Sequence, residues 1–167
     1  MAISQIPSNY LQSDDFQLIS SVTPSVATSV NFTSLGLYRK LLVTITDCVL
    51  ASASVVRIRL NNDATGGNYF WNYFSWISST TTIQTGLGSG FQASISNSTT
   101  QQNRFLLIEN CDKTGLKIAT AGAGRIGSEY SQTLNQLYLG TSVISQLNVV
   151  SAQNFTAVGN ISLYGAK

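Results

Sequence analysis

The chain contains no histidine, which removes the commonest general base, the partner a serine nucleophile needs and the imidazole ligand of most zinc sites. Charge is nearly as scarce: 9 Lys and Arg stand against 7 Asp and Glu in 167 residues, for a net +2. That balance supplies no basic face for salt-dependent phosphate binding, so no specific nucleic acid is expected as a partner. The only two cysteines, Cys48 and Cys111, lie far apart behind no export signal, and they read as free buried thiols. No stretch stays apolar for the ~18 residues a membrane helix needs, and MAISQIPSNY lacks the basic region and apolar run of a signal peptide. Neither a membrane partner nor an export route is expected.

What fills the chain instead is Ser, Thr, Asn and Gln around a 43% hydrophobic content, together with short segments of period-two alternation. In Tyr38 to Thr46, Leu41, Val43 and Ile45 fall on one face and Lys40, Thr44 and Thr46 on the other, the signature of a half-buried strand. Phe105 to Ile108 is apolar on both faces and predicts a strand covered twice. Strand signals of this kind cover Phe16 to Val22, Val26 to Phe32, Tyr38 to Val49, Ser54 to Asn61 and Tyr69 to Ile77. They continue over Phe91 to Ile95, Arg104 to Asn110, Gly115 to Ala121, Leu134 to Gly140 and Phe155 to Tyr164. No window shows helical periodicity. The expected fold is all-β, a two-sheet antiparallel sandwich of about ten strands, jelly-roll-like, spanning residues 16 to 167. Residues 1 to 15 read as an N-terminal arm, either a disordered end or one that orders on a neighbour, and 78 to 103, almost all hydroxyl, amide and glycine, as a long polar loop, either solvated or an interface loop.

Arg57 to Trp76 concentrates the chemistry. A strand ends in Asn61-Asn62-Asp63-Ala64-Thr65-Gly66-Gly67-Asn68, residues that tolerate left-handed backbone, and an aromatic strand follows, so the segment reads as a β-hairpin. Asn61, Asp63 and Asn68 beside Tyr69, Trp71, Tyr73 and Trp76 are the candidate ligand-binding set, because sugars stack on aromatic faces and bond to amides and carboxylates. The same oxygens fit calcium poorly, lacking the alternation and closing glutamate of an EF-hand. Packing is the general reason for aromatics, and by that reading the row is core. Gly122-Ala123-Gly124-Arg125-Ile126-Gly127 matches GxGxxG, but SEYSQTLNQLYLG follows with no helix and no later acidic residue, so it reads as a flexible turn rather than a dinucleotide site. The sequons at Asn31, Asn97, Asn154 and Asn160 carry no weight in a chain that meets no glycosylation machinery. No cofactor, metal or catalytic residue is expected, and the chain does not read as an enzyme.

The run VRIRLNND leading into GGNY, with the closing stretch GNISLYGAK, resembles small β-rich structural proteins of tailed bacteriophages. That resemblance implies an oligomeric virion protein made in the bacterial cytoplasm. Its leading form is a capsid cement or decoration protein, a homotrimer whose arm and polar loop clamp major capsid subunits. The alternative it implies is a tail-tip or fibre module that binds host glycans through Asn61, Asp63, Asn68, Tyr69, Trp71 and Tyr73. As core, Trp71 has a measurable weight: Trp71→Ala should lower unfolding free energy by about 3–5 kcal/mol in urea titration. A variant of unchanged stability that loses a glycan would put this stretch in a binding site instead.

Overall fold

The computed structural model describes residues 15–77, 80–93, 102–125 and 130–167. These form twelve strands and no helix: β1 (Gln17–Val22), β2 (Ser29–Thr33), β3 (Lys40–Cys48), β4 (Val56–Leu60), β5 (Tyr69–Ile77), β6 (Thr80–Gly88), β7 (Phe91–Gln92), β8 (Gln102–Glu109), β9 (Lys117–Arg125), β10 (Tyr130–Tyr138), β11 (Gln146–Ser151) and β12 (Asn160–Ala166). They make two antiparallel sheets, one in the order β1-β12-β3-β8-β9-β10-β5-β6 and one in the order β2-β11-β4-β7. The all-β sandwich expected from alternation is the fold observed.

Alternation sets which side chains meet between the sheets. From the large sheet Leu41, Val43 and Ile45 of β3, Leu106 and Ile108 of β8, Leu134 of β10 and Ile161 and Leu163 of β12 point inward. From the small sheet come Val30 and Phe32 of β2, Val56, Ile58 and Leu60 of β4, and Leu147 and Val149 of β11. Together they form one continuous buried cluster. Burying each of these side chains is worth about 1.5–3 kcal/mol relative to exposure, which is what holds the two sheets face to face. Cys48 and Cys111 lie in the same cluster as free thiols.

The large sheet is wider than the small one, and the mismatch is closed at β7. This two-residue strand pairs with β4 and lies against β10 and β5. There Gln136 of β10 replaces a missing strand: its Oε1 accepts from the Gln92 backbone N–H at 2.7 Å, and its Nε2 donates to the Gln92 carbonyl at 2.9 Å. A buried backbone edge would otherwise leave both groups unpaired.

Several sequence expectations are corrected. The structure has two strands beyond the ten expected, β6 and β11. Most of the described part of 78–103 is strand rather than loop, since it holds β6, β7 and the start of β8; residues 78–79 and 94–101 lie outside the described residues, as does all of the expected arm except Asp15. β4 and β5 are not a hairpin: they belong to different sheets, and the Asn61 to Asn68 segment is a crossover between them. The ladder partners of β5 are β6 and β10, each matched over nine residues. Gly122 and Gly124 lie inside β9 rather than in a turn, and Gly122 is needed because the Phe105 ring occupies the space a Cβ would take. The outer side of β8 is open, with Phe105 exposed, so this strand is covered once and not twice.

The Gln136 bridge gives a test. Gln136→Leu keeps the volume but strands two buried backbone groups, at roughly 1–3 kcal/mol for each unpaired group. Equilibrium urea unfolding should therefore show a loss of about 2–6 kcal/mol with an unchanged slope.

Candidate functional site

The residues singled out from sequence converge on the crossover that carries the chain from the small sheet to the large one. Asn61 and Asn62 both have positive φ, 51° and 60°, and Asp63 N–H donates to the Leu60 carbonyl at 2.9 Å, which turns the chain sharply out of β4. The Asp63 carboxylate then organises the rest. It accepts from Thr65 N–H at 2.8 Å, Asn68 Nδ2 at 2.8 Å and the Tyr138 hydroxyl at 3.0 Å. Partial burial pushes this carboxyl up, but the hydrogen bonds from Asn68, Thr65 and Tyr138 outweigh it and hold the group at about 2. The Tyr138 hydroxyl is pushed up to about 12, by burial first and by the adjoining Asp63 carboxylate second.

Asn61 is equally committed. Its Nδ2 donates to the Val143 carbonyl at 2.8 Å, and its Oδ1 accepts from Ser145 N–H at 2.8 Å and Gln146 N–H at 3.3 Å, tying the turn to the start of β11. Tyr69 is fully buried, its ring 4.7 Å from Tyr138 and 5.2 Å from Phe91. Its hydroxyl accepts from Leu60 N–H at 2.9 Å and donates to the Asp63 carbonyl at 3.2 Å. Tyr73 is buried too, and Trp71 is half-buried with its indole laid over Gly86 of β6, where there is no room for a Cβ.

Asn61, Asp63, Asn68 and Tyr69 are thus brought into one neighbourhood with their polar groups bonded within the protein. Trp71 and Tyr73 follow along the same face of β5, with the Trp71 indole N–H buried without a partner, and Trp76 lies on the opposite face. Tyr69 and Tyr73 present no ring face to solvent. The row of β5 that does face solvent is the alternate one, Phe70, Phe74 and Trp76 with Asn72. Among the described residues no group of three His, Cys, Asp or Glu could hold a metal ion.

Two exposed surfaces were not visible in the sequence as sites. The first is the outer face of the large sheet. Leu87, Phe70, Leu137 and Ile118 are successive ladder partners across β6, β5, β10 and β9, and Ile83 and Phe74 pair four residues along, beyond Thr85 and Asn72. Ile83 and Leu87 are 74% and 62% exposed. The other outward residues of these four strands that the structure describes are Thr, Ser, Asn, Gly and Trp, so the face carries no charge until the Lys40–Glu109 ion pair at its border, 3.2 Å.

The second is a polar groove of about 420 Å³ on the outer face of the small sheet, lined among others by Asn31, Arg57, Arg59, Gln146 and Asn148. Asn148, only 3% exposed, donates from Nδ2 to Asn31 Oδ1 at 2.7 Å, while its own Oδ1 is buried without a partner. Arg59 is anchored through Nε to the Ser89 carbonyl at 3.0 Å. The alternation of Arg57 and Arg59 against Val56, Ile58 and Leu60 was the signal that placed these cations outside; the depth of the groove depends on long-range pairing of β2, β11 and β4.

The chain matches no protein-family model, no curated protein and no solved structure. No helix of the described residues is long and apolar enough to cross a membrane.

The electrostatics of the crossover fix a pH dependence. Because the folded carboxyl of Asp63 sits near 2, below its ordinary 3.8, its contribution to stability is complete above that ordinary value and is lost as pH falls from there through about 2. Urea midpoints measured between neutral pH and pH 2 should fall across this window, and Asp63→Asn should flatten that part of the profile. The thiols give a second test: burial first of all pushes Cys48 up to about 11 and Cys111 up to about 12, so neither should react with a thiol reagent at pH 8 until the protein unfolds.

Proposed function

We propose that this protein is a structural component of a bacteriophage virion, a jelly-roll-like decoration or cement protein that binds neighbouring major capsid subunits and works by contact alone. The observation that carries the reading is the outer face of the large sheet. A neutral apolar surface spread over four strands, with Phe70, Phe74, Ile83, Leu87 and Ile118 exposed, is characteristic of a protein–protein contact rather than of a solvated wall. The strand order supports the fold side of the proposal. Four strands β1-β12-β3-β8 face β2-β11-β4-β7, the chain passing between the two sets as in a jelly roll, with β5–β6 and β9–β10 added as extensions of one sheet. Resemblance to phage structural proteins at VRIRLNND and GNISLYGAK supplies the virion context.

A second reading is favoured by the groove on the small sheet. Two arginines beside a buried amide with an unpaired oxygen suit a hydroxyl-rich, acidic sugar, and a host-glycan module would use Arg57 and Asn148 there rather than Tyr69 and Tyr73.

Both readings are separated by one set of measurements. Purified protein should saturate expanded capsids that lack it, and the double variant Phe74→Glu/Ile118→Glu should fold normally yet bind at least ten times more weakly. Capsids left undecorated at any concentration, with a glycan bound by the native chain and lost in Arg57→Ala, would replace the first reading with the second.

A further inference from the structure

The sheets of this molecule end in four edges among the described strands, β1 and β6 on the large sheet and β2 and β7 on the small one. An edge strand offers unpaired N–H and C=O groups to any passing strand, and proteins guard such edges with shortness, bulges, proline or charge. Three of the four are guarded. β7 is two residues long and Gln136 already occupies both backbone groups of Gln92. β1 carries an irregularity between Leu18 and Ser20, and β2 is five residues long.

β6 has none of these devices. It runs nine residues, Thr80–Gly88, without proline or charge, and its ladder to β5 is regular from end to end. Its two large apolar side chains, Ile83 and Leu87, are the most exposed large hydrophobics of the outer face. Trp71 covers its inner side at Gly86, and no other described strand pairs with its far edge.

We propose that the β6 edge is a self-association site at which two copies of the chain pair antiparallel about a two-fold axis through Thr85, joining their large sheets into one. The occupant is argued from self-complementarity. In that register Ile83 faces Leu87 of the second copy and Leu87 faces its Ile83, so the apolar row Phe74, Ile83, Leu87, Phe70 continues across the axis. On the inner side Thr82 meets Gly88 and Gln84 meets Gly86, placing a side chain against a glycine each time. Of the antiparallel registers that keep the faces matched, the one centred on Thr85 gives both apolar residues an apolar neighbour. Neither copy brings a charge to the contact, so no like-charge pair opposes it.

The area sets the strength. A nine-residue edge is about 30 Å long and about 10 Å deep with its side chains, so each copy covers on the order of 300 Å². A standard stable interface covers about 800 Å² per partner. The pairing therefore belongs with weak, concentration-dependent dimers in the micromolar range or above, and it leaves the rest of the outer face open to a larger partner. It concerns the isolated protein and stands or falls independently of capsid binding.

Sedimentation velocity over a concentration series reaching about 1 mM should show a reversible monomer–dimer equilibrium. Thr85→Lys, which sets two ammonium groups opposite each other at an exposed position, should weaken it at least tenfold while circular dichroism stays native. Thr85→Cys should oxidise to a covalent dimer, because directly opposed residues of an antiparallel pair lie about 4.5–5.5 Å apart at Cα, within disulfide reach. Thr81→Cys, about 27 Å from its counterpart in the same pairing, should not. The native thiols are buried and leave this reading clean. A chain that stays monomeric throughout, a Thr85→Lys variant that associates as strongly as the native chain, or Thr85→Cys and Thr81→Cys cross-linking alike would each overturn the proposal.

Discussion

The structure depends on how the chain leaves the small sheet at Leu60 and enters the large sheet at Tyr69. A crossover at this depth exposes backbone groups to an apolar interior, and they must be paired. Tyr69 provides the pairing from within: its ring is packed against Tyr138 and Phe91, and its hydroxyl bonds the backbone of Leu60 and Asp63. Asp63 then collects Thr65, Asn68 and Tyr138, and Asn61 reaches to the start of β11. One compact set of hydrogen bonds thus joins β4, β5, β10 and β11, which belong to both sheets. Of the residues that look like a ligand site in sequence, Asn61, Asp63, Asn68 and Tyr69 form a structural joint whose hydrogen bonds are made within the protein, while the Trp71 indole N–H is buried without a partner.

Fixing that joint lets the large sheet extend beyond the small one. β9, β10, β5 and β6 carry the sheet outward, with inward residues that become smaller or aromatic, Ala119 and Ala121, then Tyr73 and Trp71. Gln136 seals the seam under this extension. The consequence lies on the opposite side, where the broad neutral outer face and the free edge of β6 result from one geometric fact, a sheet twice as wide as its partner. Surface and core arguments are linked here: a sandwich of equal sheets would have covered some of this width.

How much of this is legible in the sequence depends on whether a strand obeys the rule of apolar inward. β3 does, with Leu41, Val43 and Ile45 buried as their spacing predicts. β11 does as well, since Leu147 and Val149 alternate with Gln146 and Asn148, though the alternation is short and Val150 breaks it. β6 inverts the rule. Its inner side is Gly86 and Gly88 beneath the Trp71 indole, and its apolar residues face outward, so a reading based on buried apolar faces finds only a polar loop. The crossover looks like a hairpin in sequence for another reason. Turn chemistry at Asn61 to Gly67 specifies a change of direction but not which strand lies next, and the partners of β5 are chosen by ladders to β6 and β10. The oxygen-rich character of the candidate site was legible; its being occupied from within was not, because Tyr138, Val143 and Ser145 arrive from about 80 residues away.

The claim that Tyr69 and its hydrogen bonds are the joint between the sheets is tested most directly by Tyr69→Phe, which keeps the ring and deletes one oxygen. Unfolding in urea should show a loss of about 1–3 kcal/mol with unchanged slope, since the Leu60 N–H is left buried without a partner. A midpoint and slope both equal to those of the native protein would contradict the account.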